Sequence, residues 1–372
     1  MSFPKMKVLY IADFTLPTNR AYAIHVFKML DAFSDHKIKS KLFIPYFKKK
    51  NFKNSIKFFD LKNSEKISID RIFENSINLN FLIRLIFGYR VAKNIKTHYT
   101  NNLIITRSLI TSVFLSLFKI KHFLEIHQEI KGLTKFFLIN LNFINSKFII
   151  KNIFISKSLA NFYKYKTKKY KVLHDGVDLT KFKKKKIKKV NKISYVGSFY
   201  KGRGIELIFE IAKELKDFKF YLYGKRNEKF YKLQKNIHLK PFVQQSKIPQ
   251  ILNNSDLLLL PYSKKVHISS DLKSSDNSRF MSPLKLFESL ASGTPILCSN
   301  IKVLREVLKN HYNAVLINNF ESKKEWIEKI KKISKNYKKL KFISENALIT
   351  AKKYTWFKRS ASFISLYKIN NL

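Results

Sequence analysis

Residues 195–205 combine glycine and positive charge where a strand pattern gives way to a helix pattern. Gly197 lets a ligand approach the backbone, and Lys201 and Arg203 add positive charge. A helix start also offers free backbone N–H groups and the positive end of the helix dipole. The segment therefore suits a diphosphate. A glycine-rich turn with solvated basic residues is an equal alternative.

A second candidate site lies at the start of a helix that Ser282 and Pro283 are predicted to open, as N-cap and first helical residue. The free N–H groups of Leu284 and Lys285 would again face an anion. Glu288 follows among apolar neighbours, where an unpaired carboxylate is costly. Sugar hydroxyls are suitable donors to this carboxylate. A salt bridge to a nearby lysine is the alternative, and the spacing alone favours it slightly.

His127 directly follows the apolar strand pattern over 122–126. Open α/β sheets bind ligands at the carboxyl edges of their strands, so this position favours a role in the site. An isolated histidine is more often structural, and the residues alone leave both interpretations open.

The sequence predicts neither a tightly bound metal nor a cofactor. Cys298 is the only cysteine and lies in an apolar run, so a cysteine-based zinc site is excluded. No Asp-x-Asp pair lies at a predicted strand end, which argues against a catalytic divalent metal.

Alternating strand and helix patterns must position these residues, and this alternation is typical of parallel sheets covered on both faces. The lysine-rich stretch 181–191 interrupts the alternation and is predicted to be an interdomain linker. We predict a first domain over 1–180, a second over 192–354 and a C-terminal helix over 355–372 that returns to the first domain. The serine-rich stretch 263–278 is predicted to be a mobile loop beside the site.

The formal charge is +49 over 372 residues. Such a charge attracts lipid headgroups, phosphorylated substrates or nucleic acid. Lysine is spread along the whole chain, however, which favours a compositional bias. No zinc-finger spacing, helix-turn-helix or RNA-binding motif is present, so nucleic acid is not an expected partner.

The apolar stretches are shorter than the roughly 18 residues that a membrane span needs. The run 8–12 is too short for a signal peptide and is predicted to be a strand. We therefore expect a cytoplasmic protein. Amphipathic helices over 81–95 and 108–118, together with the charge, predict peripheral association with an anionic membrane at its inner face.

From Lys192 to about Phe363 the sequence resembles the family-4 retaining glycosyltransferases of the GT-B fold, in a branch found in surface-polysaccharide biosynthesis. The resemblance rests on these segments, in the family's order and spacing: YVGSFYKGRGIELI, FYLYGKR, IPQILNNSDLLLLPY, SPLKLFESLASGTPILCSN and LREVLKNHYNAVLI. The amino half resembles the family less clearly, through segments such as LEIHQ and VLHDGVDLTKF.

The resemblance implies an α/β fold of two Rossmann-like, doubly wound parallel-sheet domains facing a cleft. It also implies roles for single residues. Glu288 would hold the donor ribose and Arg203 the donor diphosphate, while His127 would lie near the reacting sugar. The backbone amides of Leu284 and Lys285, at the helix that Ser282 opens, would also meet phosphate. Gly224 and Val243 would line the pocket for the base.

The sequence departs from the family pattern at three places. Phe280 stands where the family has the first Glu of its E-x7-E pattern. Ser198 stands where the family has an Arg, and Lys201 is the expected substitute. The family's Gly-Gly loop after the first strand is replaced by residues 18–21, which puts Arg20 on the acceptor side.

The sequence thus predicts a metal-independent, retaining glycosyltransferase that moves a hexose-type sugar from a nucleotide-diphosphate sugar to a saccharide or lipid-linked acceptor. Cell-surface polysaccharide or glycolipid synthesis is the expected setting. The alternative, which rests on the charge, is a non-catalytic basic protein that binds a membrane surface or nucleic acid. Transfer or hydrolysis of nucleotide sugars would discriminate the two.

Overall fold

The computed structural model describes residues 6–48, 50, 56–99, 101–183, 185–187, 189–224, 234–267 and 276–370. The chain divides into two compact units. The first unit contains Met1–His174 and Trp356–Leu372, and the second contains Asp175–Thr355.

The first unit is built on a seven-stranded parallel sheet. The strands of this unit are β1 (Val8–Ile11), β2 (Thr15–Leu16), β3 (Ser40–Ile44), β4 (Tyr46–Phe47), β5 (Ile67–Arg71), β6 (Leu103–Thr106), β7 (His122–Ile126), β8 (Ile149–Phe154) and β9 (Tyr170–Val172). The order across the sheet is β5-β3-β1-β6-β7-β8-β9, while β2 and β4 pair separately. The central strands β1, β6 and β7 are buried along their whole length, as expected for strands covered on both faces.

Helices cover this sheet. They are α1 (Ala21–Asp35), α2 (Phe81–His98), α3 (Leu109–Leu117), α4 (Gly132–Lys135), which continues into a π-helical turn at Phe136–Asn140, α5 (Lys157–Tyr163) and the C-terminal helix (Trp356–Ile369). The side chains of Asn80, Ser108 and Ser156 accept hydrogen bonds from backbone N–H groups and so fix the starts of α2, α3 and α5. The C-terminal helix packs on α1, where His36 stacks on Phe357 at 4.1 Å.

The second unit is built on a six-stranded parallel sheet. Its strands are β10 (Lys192–Val196), β11 (Lys219–Tyr223), β12 (Ile237–Lys240), β13 (Leu257–Leu260), β14 (Ile296–Ser299) and β15 (Val315–Ile317). Its helices are α6 (Ile205–Glu214), α7 (Ile248–Asn253), α8 (Leu284–Ser292), α9 (Lys323–Ser334) and α10 (Tyr337–Ala351). The strand order is β12-β11-β10-β13-β14-β15.

Alternate side chains of this sheet enter two separate cores. In β13, Leu257 and Leu259 pack in the core that contains Trp326 of α9, whereas Leu258 and Leu260 pack in the core that contains Phe287 of α8. The sheet is therefore covered on both faces, and the prediction of two doubly wound parallel-sheet domains is confirmed.

The predicted linker, 181–191, lies within the second unit. Asn253 Nδ2 donates to the carbonyl of Lys183 at 2.9 Å, and Lys185 Nζ donates to the carbonyl of Asn253 at 2.8 Å. The stretch is therefore part of the second unit and not a separate linker, because these bonds attach it to the end of α7. Lys184 and Lys188 of this stretch lie outside the described residues.

Residues 268–275 of the predicted mobile loop lie outside the described residues, and its two flanks meet in a bridge between His267 and Asp276. Asp276 accepts hydrogen bonds from the backbone N–H groups of Val266 and Ser278, both at 2.9 Å. Within the described part of the chain, no helix has the length and apolar character that crossing a bilayer requires.

Candidate functional site

The glycine turn after β10 is tightly closed. Gly204 has φ +75°, and a Cβ there would lie 2.0 Å from the carbonyl oxygen of Pro261. Gly197 has φ +151°, and a Cβ there would lie 2.7 Å from Nζ of Lys285. A side chain at Gly204 would collide with the backbone, and one at Gly197 would take the place of the Lys285 ammonium.

The two basic residues of the turn differ in their surroundings. Lys201 is exposed, whereas Arg203 is partly buried. Arg203 Nη2 donates to the carbonyl of His267 at 3.2 Å, and the guanidinium lies 5.5 Å from the ring centroid of Tyr262. Its Nε is buried and finds no hydrogen-bond partner among the described residues. Arg203 is thus the cation of the turn that is held in place.

The predicted N-cap at Ser282 is wrong. Helix α8 begins at Leu284, its N-cap is Pro283, and no side chain caps it. The hydroxyl of Ser282 instead accepts a hydrogen bond from the backbone N–H of Asp175 at 3.2 Å, so it is used elsewhere. The N–H groups of Leu284 and Lys285 still open the helix and have no acceptor within it.

The side chain of Lys285 points at the glycine turn. Its Nζ donates to the hydroxyl of Tyr195 at 3.0 Å, and that hydroxyl donates to the carbonyl of Ser198 at 2.7 Å. The ammonium also lies 4.4 Å from the ring centroid of Tyr195 and 5.2 Å from that of Tyr262. Burial, followed by the charge of Arg203, holds the pKa of Lys285 well below its usual value.

Glu288 lies one turn after Lys285 and is partly buried. Its Oε1 accepts a hydrogen bond from Nε2 of Gln245. Glu288 and Lys285 line one small cavity together with Ser194 and Val196 of β10. The carboxylate predicted to hold ribose therefore lies one turn after the helix start whose backbone amides are predicted to meet phosphate.

Gly224 and Val243, the predicted lining of the base pocket, follow β11 and β12. A Cβ at Gly224 would lie 2.4 Å from the carbonyl oxygen of Gly197, so Gly224 belongs to the same edge as the glycine turn. Val243 is partly buried. Residues 225–233, which follow Gly224, lie outside the described residues, and the base pocket stays a prediction.

In the first unit, His127 follows β7 as predicted, and its ring meets that of His25 edge-on at 4.7 Å. Its Nε2 is buried and has no hydrogen-bond partner among the described residues. Burial, followed by the charge of Arg107 and by His25, holds the pKa of His127 well below its usual value, against the opposing effect of Glu125. The imidazole is therefore neutral near pH 7.

A buried carboxylate lies beside this histidine. Glu125 Oε1 accepts from Nη2 of Arg359 at 2.6 Å, and its Oε2 accepts from the hydroxyl of Tyr10 and lies 3.5 Å from Nε2 of His25. Burial alone would raise the pKa of Glu125, but His25 and Arg359 hold it well below its usual value. Sequence reasoning missed this cluster, although a charged residue within a buried apolar strand was a usable signal.

Arg20 is the N-cap of α1, and its carbonyl accepts from the N–H groups of Ala23 and Ile24. Its side chain is exposed. The structure thus places Arg20 at the start of a helix, and its predicted acceptor role stays a prediction.

Comparison with known protein families finds a match within the second unit. Residues 177–349 match the family described as glycosyl transferases group 1. A search of curated protein sequences finds no match to the chain.

Solved structures match the whole chain at low identity. A glycosyltransferase from Rickettsia africae is 15% identical, with a TM-score of 0.74 over 97% of this chain and 98% of that one. HepE of Anabaena, solved in complex with UDP and glucose, is 13% identical, with a TM-score of 0.71 over 99% of this chain and 100% of that one. WaaG, a glycosyltransferase involved in lipopolysaccharide biosynthesis, is 11% identical, with a TM-score of 0.63 over 95% of this chain and 98% of that one.

These likenesses show that the chain has the GT-B fold, as predicted. The match to the family described as glycosyl transferases group 1 lies within its second unit, over residues 177–349. The chain thus has the GT-B fold, and most of its second unit is similar to group 1 glycosyl transferases.

Proposed function

We propose that the protein transfers a hexose-type sugar from a nucleotide-diphosphate sugar to a saccharide or lipid-linked acceptor, with retention of configuration. One observation carries this proposal: Lys285 at the start of α8 reaches the glycine turn that contains Arg203, and Glu288 lines one cavity with Lys285. A diphosphate and a ribose are the groups that such cations and such a carboxylate recognise. HepE of Anabaena binds UDP and glucose on the same fold.

The proposed mechanism stabilises the leaving nucleotide diphosphate. Arg203 and the N–H groups of Leu284 and Lys285 would bind the charge that develops as the glycosidic bond breaks. Glu288 would accept hydrogen bonds from the ribose hydroxyls in place of Gln245. The neutral imidazole of His127 would contact the reacting sugar, where it can donate or accept a hydrogen bond without adding charge.

The reaction is proposed to need neither a metal ion nor a cofactor, because cations of the chain would neutralise the diphosphate. The test is a transfer assay with a panel of nucleotide sugars and saccharide acceptors, with the anomeric configuration of the product read by NMR. Activity that survives EDTA supports the proposal. Loss on chelation, restored by magnesium or manganese, contradicts metal independence. Anion binding without any turnover would favour the non-catalytic alternative.

A surface-polysaccharide or glycolipid acceptor would bring the protein to the inner face of a membrane, and WaaG, which shares the fold, is involved in lipopolysaccharide biosynthesis. The predicted lipid-contacting helix over 108–118 does not suit this role, because most side chains of α3 are buried. A better candidate is the stretch 132–141, where Leu133, Phe136 and Leu141 are exposed next to Lys135.

Sedimentation with anionic and neutral vesicles tests this association. We expect binding to anionic vesicles that salt weakens, and a smaller bound fraction after Phe136→Ser. Equal partitioning to neutral vesicles, or none at low salt, would contradict it.

A further inference from the structure

The glycine turn provides only one partly buried cation, Arg203, for the proposed donor site. Ser198 occupies the position where the family-4 retaining glycosyltransferases, which the sequence resembles, have an Arg. Lys201, the expected substitute, is exposed, and its backbone carbonyl accepts from the N–H of His267 at 3.2 Å. The turn itself therefore leaves Arg203 as its single cation held against the site.

A second cation reaches the same turn from a different element. Lys285 is the second residue of α8, and its Nζ lies 2.7 Å from the position that a Cβ of Gly197 would take. The ammonium therefore lies against the first glycine of the turn, next to the position of Ser198, whose carbonyl shares the Tyr195 hydroxyl with it.

Lys285 and Arg203 together form a pair of like charges, and Arg203 lowers the pKa of the Lys285 ammonium. Both cations lie near the ring of Tyr262, at 5.2 Å and 5.5 Å from its centroid. Neither has a carboxylate oxygen within 4.0 Å in the part of the chain that the structure describes. Loss of water and repulsion by Arg203 make the cationic form of Lys285 costly and lower the pKa of its ammonium. A bound anion with two charges would remove this cost.

We propose that the ammonium of Lys285 binds the diphosphate of the donor directly and takes the place of the cation that is missing at residue 198. On binding, Nζ exchanges the neutral hydroxyl of Tyr195 for phosphate oxygens, and the N–H groups at the start of α8 hold the same anion. This proposal rests on the proposed function of the site, and it assigns the second diphosphate cation to a helix side chain rather than to the glycine turn.

Titration calorimetry with UDP, ADP and GDP, each paired with its nucleoside, tests the assignment. We expect Lys285→Met to weaken binding of the preferred nucleoside diphosphate by about 10- to 100-fold and to leave the nucleoside unchanged. Lys285→Arg should recover part of the loss. Lys324→Met, at an exposed position of α9 in the same unit, is the matched control and should change neither affinity.

Three outcomes overturn the assignment. Equal weakening of nucleoside and diphosphate would mean that Lys285 only shapes the cavity. Full diphosphate affinity in a folded Lys285→Met protein, with the loss appearing in Lys201→Met, would return the role to the turn. If the unaltered protein binds no nucleoside diphosphate, the proposed function itself fails, and this is seen before any variant is made.

If Lys285→Met fails to fold, a second variant, Tyr195→Phe, still tests the role of the Lys285 ammonium. Tyr195→Phe removes the hydroxyl that Lys285 now contacts but keeps the ammonium. We expect this variant to bind the diphosphate at least as tightly as the unaltered protein, because Nζ has lost a competing partner. Loss of diphosphate binding in Tyr195→Phe would show that the lysine and the tyrosine act as one structural unit and would overturn the proposal.

Discussion

Nη2 of Arg359 donates to Oε1 of Glu125 across 2.6 Å inside the first unit, although the two residues are 234 positions apart. Their side chains are 3% and 0% exposed. Nη1 of Arg359 also donates to the carbonyls of Leu173 and His174, at the end of the first segment of this unit. One guanidinium thus connects the C-terminal helix, the central strand β7 and the end of that segment.

Breaking this pair should destabilise the first unit strongly. Arg359→Met leaves a carboxylate buried without its cation, which costs about 3–5 kcal/mol. Adding Glu125→Gln should recover part of the loss, because the remaining group is then neutral. Denaturant unfolding followed by the fluorescence of Trp356, in a Trp326→Phe background, would report on the first unit alone. Lys368→Met, at an exposed position in the last turn of the same helix, is the control, and an equal loss there would contradict a specific effect of the pair.

Glu288→Gln should weaken binding of the nucleoside and of the nucleoside diphosphate alike, by about 10- to 100-fold, because the charged acceptor for the ribose hydroxyls is lost. Lys285→Met should weaken only the diphosphate, so calorimetry with both ligands separates the two residues. Glu328→Gln, exposed on α9, is the matched control. Unchanged affinity in a folded Glu288→Gln protein would leave this carboxylate with a structural role, as in its hydrogen bond from Gln245.

His127→Ala should lower kcat by about 100-fold or more with a much smaller effect on stability, since the side chain has one buried nitrogen without a partner among the described residues. Turnover and thermal melts would be measured together with those of His98→Ala, an exposed histidine of α2. If the alanine variant at 127 unfolds while its folded fraction stays fully active, the histidine has a structural role.

The fold could be predicted from the sequence because its signals are local. The pattern over 122–126 is a strand with the predicted bounds, and the predicted strand over 8–12 contains β1 (Val8–Ile11). Apolar periodicity records which face each short segment buries, and this is sufficient to indicate two parallel sheets covered by helices. The capping of α8 was the exception, because Ser282 bonds to Asp175, 107 positions away.

The chemistry of the candidate site was harder to predict, because it also depends on contacts between residues far apart in the sequence. The sequence placed Lys285 at a helix start, but the direction of its side chain depends on Gly197 and Tyr195 in another part of the sheet. Glu125 and Arg359 are likewise paired only by tertiary structure. Contacts of this kind leave no periodic pattern in a single sequence, and they arise only when the chain folds.

Binding of a nucleoside diphosphate should take up a proton at Lys285. In the free protein, burial and Arg203 hold the pKa of this ammonium well below its usual value. A bound diphosphate favours the charged form and raises that pKa again. Affinity should therefore rise as the pH falls, in the window between the pKa of Lys285 in the free protein and its pKa in the complex.

The other titratable groups that face Lys285 do not account for this proton uptake. Burial raises the pKa of Tyr195, Tyr262 and Cys298 well above their usual values, so all three stay neutral across this window. Glu288, on the same helix, lies close enough to favour the charged form of the lysine. Glu288→Gln should for that reason enlarge the proton uptake.

Calorimetry in buffers of different ionisation enthalpy, between about pH 7 and pH 9.5, counts the protons that binding takes up. The lower limit keeps the phosphate itself ionised, since its second pKa is near 6. Lys285→Arg supplies the decisive comparison, because a guanidinium keeps its charge over the whole range. We expect proton uptake that is maximal within the window in the unaltered protein and absent in Lys285→Arg. Equal uptake in both proteins would place the titrating group elsewhere, and no uptake in either would mean that the ammonium of Lys285 is already charged before the anion arrives.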